Sequence, residues 1–213
     1  MIAALYVQTN GCYYGLEKVD PWDEKRDART YDGPWPVVAH PPCARWGRYW
    51  FGGPSARERR KLGDDGGCFA AALDAVRRFG GVLEHPEATH AWRAHAIVAP
   101  PKRGGWVEAH LPLVSQGLPE AWTCCVEQGH YGHLARKATW LYYVGAKPEP
   151  LIWGKAEGKT VRLDEGFHSA AERIAAKARG RDSGMTERLS ARQRAATPVE
   201  FRDLLISLAE SAR

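Results

Sequence analysis

The sequence predicts an α/β chain: a mostly parallel sheet that ends in an antiparallel hairpin, followed by C-terminal helices. Three observations predict it. The apolar runs IAALYV (2–7) and VVAH (37–40) have strand length and are bounded by turn residues. Apolar residues at helical spacing between 66 and 79 lead straight into another apolar run, VLE (82–84), which makes a strand–helix–strand crossover. WTCCV (122–126) and TWLYYV (139–144) are separated by too short a gap for a crossover helix, so they pair as a hairpin.

Taken in order, the first strand breaks at the turn Gln8-Thr9-Asn10-Gly11. Residues 20–34 are charged, carry Pro and Gly, and read as loop. After the second strand, residues 45–67 are basic, aromatic and Gly-rich and read as a mobile or substrate-covering loop. In the helix of 66–79, Phe69, Ala72, Leu73, Val76 and Phe79 share one face. Arg77 and Arg78 sit in its last turn and Gly80-Gly81 stops it. The expected organisation is a compact α/β domain over 1–146, the catalytic one if the chain is an enzyme, and over 147–213 a linker with helices that pack on it. Ala170, Ala171, Ile174, Ala175 and Ala178 mark a basic helix, and residues 180–184 a break. Thr197-Pro198-Val199-Glu200 has the capping-box pattern and opens a helix whose stripe is Phe201, Leu204, Leu205, Leu208 and Ala212.

The composition is globular: 213 residues, 44% hydrophobic and 26% charged. No uninterrupted apolar run reaches ~18 residues, and the N-terminus lacks a basic leader region, so neither a membrane span nor a signal peptide is expected. Five cysteines do not form a secreted disulfide framework, which points to reduced thiols and a cytoplasmic protein. A net charge of +5 is compatible with a polyanionic partner.

The chemistry concentrates in VVAHPPCARWGRYW, residues 37–50. Two prolines fix the turn that carries Cys43 at a strand's C-terminal end, where open α/β sheets build their sites. His40, Arg45 and Arg48 surround it in sequence and give a thiol the electropositive setting it needs to become a nucleophile. LEHPE puts Glu84 at the end of the next parallel strand, and adjacent strand ends lie only ~5 Å apart. A thiol with a carboxyl group beside it suits addition to a ring C=N–C system.

The order of these motifs resembles the cytosine-C5 DNA methyltransferase family. The resemblance covers the middle of the chain: HPPC at 40–43, EHP at 84–86 and QGHYGHLARKATWLYYVG at 128–145. The chain as a whole resembles small phage-type methyltransferase-like proteins. The resemblance implies a Rossmann-like methyltransferase-type sheet, shortened at its N-terminus. It implies that Cys43 attacks cytosine C6, Glu84 contacts N3, and Arg136 supports the site with Lys137 as its neighbour. S-adenosylmethionine is the implied methyl donor. The residues available to hold it are Asn10, Gly11 and Gly15 at the first turn, with Asp20 as a ribose-binding acid. The sequence departs from the family in having only a short segment before Pro-Pro-Cys and no long target-recognition region.

DNA contacts then fall to ARWGRYWFGGPSARERRK (44–61), including Arg45, Trp46 and Arg48, to the hairpin loop with Gln128, His130, His133 and Lys137, or to a second subunit in a homodimer. An alternative for the basic-aromatic run is a loop with Trp46 and Trp50 tucked into the core. Cys124, Cys125, His130 and His133 have a loose zinc-like spacing, but adjacent strand residues face opposite ways, so no metal is expected. His85, His90, His95, His110 and His168 are scattered. Two rival functions stand beside cytosine methylation: modification of a pyrimidine nucleotide with another cofactor, and DNA binding by a degenerate methyltransferase-like fold.

Overall fold

The structure, a computed structural model, describes residues 1–52, 60–102, 104–111, 116–159, 161, 163, 169–180 and 189–212. Parts of the sequence reading lie outside these residues: 53–59 of the basic-aromatic run, His168, and 181–184 of the break.

Seven strands form one mixed sheet: β1 (Ile2–Leu5), β2 (Val19–Trp22), β3 (Val37–Ala39), β4 (Gly81–Pro86), β5 (Val107–Glu108), β6 (Ala121–Glu127) and β7 (Ala138–Val144), in the order β2-β1-β3-β4-β7-β6-β5. β2, β1, β3 and β4 are mutually parallel. The three remaining pairings, β4–β7, β7–β6 and β6–β5, are antiparallel. The sheet is thus evenly mixed rather than mostly parallel. The hairpin enters with β7 against β4, and the two-residue β5 extends the sheet beyond β6. β2 lies in the segment read as loop. It is a half-buried edge strand containing Pro21, so it carries neither an apolar run nor a clean alternation. Glycine at 81 is a packing requirement: φ is +117° and a Cβ would collide with the backbone of Val37.

Helix α1 (Cys68–Phe79) crosses from β3 to β4 and covers one face. Its Phe69, Ala72, Leu73 and Val76 pack with Ala3, Leu5, Val37, Ala39 and Leu83. Helix α5 (Val199–Glu210) covers the opposite face, with Phe201, Leu205, Leu208 and Ala209 against Ile2, Ala4, Val38, Val82 and Leu141. Phe201 and Leu205 are fully buried, and each contributes about 1.5–3 kcal/mol of apolar burial. No helix joins β1 to β2, so the place of a crossover helix on that face is taken by a segment far along the chain. The capping box expected at Thr197 does not form, because Pro198 is the N-cap and has no side-chain donor or acceptor. The box forms instead at Ser190–Gln193, opening α4 (Ala191–Ala195), a helix absent from the sequence reading. Two further helices are α2 (His90–Ala94) and α3 (Ala170–Ala178). No described helix is long and apolar enough to cross a membrane.

β1 connects to β2 on one side of it, while β3 continues to β4 on the other. The chain therefore changes direction between β1 and β3, and open α/β sheets place ligand crevices at the strand C-termini at such a point.

Candidate active site

Strand alternation sorts the polar residues at this edge by face. Val38 and Val82 belong to the α5-side core, Ala39 and Leu83 to the α1 side. His40 and Glu84 follow on the α5 side. On the hairpin, Val126 and Leu141 fix the same face, and Gln128 and Thr139 project there too.

These groups make one hydrogen-bonded chain. Tyr13 Oη lies 2.8 Å from His40 Nε2, and His40 Nδ1 lies 3.1 Å from Glu84 Oε2. Gln128 Nε2 donates to Glu84 Oε1 at 3.3 Å and to Thr139 Oγ1 at 2.8 Å. Tyr13, from the turn after β1, is almost wholly buried. The side chains of His40 and Glu84 are each 13% exposed. Burial alone would raise the Glu84 pKa, but the His40 hydrogen bond and the charges of His40 and Lys137 outweigh it and hold the carboxyl below its usual value.

Cys43 is exposed. Although solvent reaches the residue, the protein packed around it disfavours the thiolate, and the Glu84 charge adds to this. Lys137 opposes both effects less strongly, so the thiol pKa is raised. Cys43, Glu84 and Lys137 therefore share one electrostatic neighbourhood. Arg136 does not belong to it: it is exposed, and its charge acts on Glu127. Adjacent residues face opposite ways, and Lys137 is the cation on the Glu84 side.

The first turn is largely engaged with itself. Asn10 has φ +55°. A Cβ on Gly11 would sit 2.8 Å from the Gln8 carbonyl, so glycine there serves the turn. Gly15 has φ +77° and open space around it. Asp20 receives two bonds from Arg26, at 2.6 and 3.3 Å, and one from Trp22 Nε1 at 2.9 Å. Asp23, which sequence reasoning missed, is buried and accepts from Thr9 Oγ1 and Tyr14 Oη, both at 2.6 Å. These bonds bring its carboxyl down to about 2.

Trp46 is a core residue, not an exposed stacking surface. It is 7% exposed, its ring packs on Phe69, and Nε1 donates to Asp65 Oδ2 at 2.7 Å. Arg45 is half-buried and Arg48 is exposed beside Tyr49. His133 is buried, with Nδ1 2.8 Å from the Ala135 carbonyl, so it does not lie on an open loop face. His130 is half-buried and its Nε2 meets the Gly154 carbonyl at 3.2 Å. Among the described residues, no group of three metal-ligating side chains gathers. A separate apolar cavity of about 440 Å³, lined by Trp92, Arg93, Ile97, Leu111 and Trp140 among others, includes neither Cys43 nor Glu84.

Tyr13 and Thr139 are the members of this site absent from the sequence reading. The alternation of β7 could have found Thr139, but nothing local marks Tyr13 among its neighbouring aromatics. Compared with known proteins, the chain matches no protein-family model, no curated protein and no solved structure.

Proposed function

We propose that the chain modifies cytosine in DNA, most simply by methyl transfer to C5, through a covalent adduct with Cys43. The observation that carries this reading is the parallel pairing of β3 with β4, which brings Cys43, just beyond β3, and Glu84, in the C-terminal half of β4, to the same edge of the sheet; there the Glu84 charge bears on the thiol and Lys137 acts on both. In the proposed reaction, cytosine leaves the base stack. Cys43 loses its proton to solvent, and the thiolate forms an S–C6 bond. The C5=C6 pair shifts into C5–C4 and the C4=N3 pair onto N3, which takes a proton from solvent and donates it in a hydrogen bond to the Glu84 carboxylate; that proton returns to solvent when C5 attacks. C5 is then nucleophilic and bonds an electrophile. Loss of the C5 proton to solvent and cleavage of S–C6 restore the ring and release the thiolate, which regains a proton from solvent.

S-adenosylmethionine, when bound, supplies the methyl group; the family resemblance implies it. The residues named for it fit only in part. Gly15 leaves room, whereas Gly11 serves its own turn and Asp20 is occupied by Arg26 and Trp22. That engagement favours a second reading with the same thiol chemistry: a pyrimidine nucleotide modified with another electrophile.

The test needs no donor. Addition at C6 makes the C5 hydrogen exchange with solvent, so a cytosine-containing oligonucleotide incubated with the protein in D2O should gain deuterium at C5. Cys43→Ser should abolish the gain. Exchange that persists in Cys43→Ser overturns the covalent mechanism. Calorimetry with S-adenosylmethionine separates the two readings: heat and thermal stabilisation support the first, and their absence the second.

A further inference from the structure

Gln128 is 1% exposed. Its Nε2 is committed to Thr139 Oγ1 and Glu84 Oε1, while its Oε1 is buried with no hydrogen-bond partner. A buried acceptor left unpaired is unfavourable and calls for an explanation. Turning the amide over does not relieve it. The carbonyl would then face the Glu84 carboxylate, acceptor against acceptor. His40 holds that carboxylate from the other side and is itself held by Tyr13. The chain Tyr13–His40–Glu84 therefore fixes which way Gln128 points, and the unpaired carbonyl belongs to the same amide whose nitrogen donates to Glu84 Oε1.

We propose that Gln128 is a specificity-determining residue: its carbonyl and the Glu84 carboxylate form a two-acceptor edge that takes the 4-amino group of cytosine and rejects the 4-oxo group of uracil and thymine. The proposal rests on the base-modifying reading above and names what that site distinguishes. Among pyrimidines only cytosine presents an amino donor at this position. A 4-oxo base would bring a third acceptor to two that are already fixed. Sites built to hydrogen-bond a substrate group reject the analogue lacking it more strongly than apolar pockets do.

Two measurements test this. The first compares C5 deuterium exchange of cytosine and uracil in otherwise identical oligonucleotides. The second compares binding of the same oligonucleotides to Cys43→Ser, which cannot react. Wild type should favour cytosine by about 100-fold or more in exchange, and Cys43→Ser should favour it in binding. Gln128→Met, of similar length, should bring both preferences below about 10-fold. If that variant does not fold, Glu84→Gln in the Cys43→Ser background serves instead. It removes the charge that orients Gln128, and the binding preference should fall with Gln128 still present. Exchange of both bases at similar rates, or a preference unchanged by these substitutions, overturns the proposal and leaves the covalent chemistry standing. A binding preference without exchange overturns the chemistry and supports the edge. Neither exchange nor preference overturns both.

Discussion

His40 Nδ1 lies 3.1 Å from Glu84 Oε2 while Tyr13 Oη engages the other ring nitrogen at 2.8 Å. Both nitrogens are thus spoken for, and His40 is not placed to take the Cys43 proton, although it stands three residues away in sequence. The pair orders the acid instead of activating the thiol.

Glu84 consequently makes stability depend on acid pH. A carboxyl held below its ordinary value of 4.5 stabilises the fold above that pH, and the contribution is lost as pH falls through the folded value. Urea midpoints of the wild type should therefore drop more between pH 5 and lower values than those of Glu84→Gln. Parallel curves would contradict this.

Cys43 should behave as a suppressed thiol. Its pKa is raised above 9.0 by burial in the surrounding protein and by the Glu84 charge, so iodoacetamide should label it slowly at neutral pH. Glu84→Gln should label faster at every pH below the thiol's own, read by intact mass and peptide mapping. Equal rates in the two proteins would mean that the acid does not act on the sulfur.

His85 gives a second pH dependence, of the same sign in a higher window. Burial lowers its pKa to about 4 from 6.5, so the unfolded chain binds the extra proton first as pH falls. Stability should be full above pH 6.5 and decline toward pH 4 by up to about 3 kcal/mol. Its Nδ1 meets Thr89 Oγ1 at 2.8 Å and its ring packs on Phe69, so the test is denaturation at pH 7.5 and 5 for wild type and His85→Gln. The decline across this interval should shrink in the variant.

Helix α5 should be essential to the domain. Phe201→Ala removes a wholly buried ring facing Ile2, Ala4 and Val38 and should cost about 3–5 kcal/mol in chemical denaturation. A loss below about 1 kcal/mol would mean that the helix docks only loosely.

Strands rich in apolar residues were legible because composition marks them: β1, β3 and the hairpin were read in place, within two residues at their ends, as was α1, whose apolar spacing and glycine stop agree. β2 was not legible, since an edge strand containing Pro21 and Asp20 lacks the apolar signature. At the site, Glu84 and Cys43 could be placed on neighbouring strand ends from their order. Choosing between Arg136 and Lys137 depended on hairpin register, which one residue of slip reverses. Trp46 illustrates the converse. A basic-aromatic run looks like a nucleic-acid contact, yet the ring is drawn inward by Phe69 of α1 and by Asp65 in the bend before it, both outside the run.

The reliance of β1 on α5 has a consequence for synthesis. On a translating ribosome, Ile2 and Ala4 emerge early, but the residues that shield them, 201–209, are made nearly the whole chain later. Throughout that interval the nascent sheet presents an uncovered hydrocarbon surface, so one side of the molecule must wait for α5 or be guarded by a chaperone.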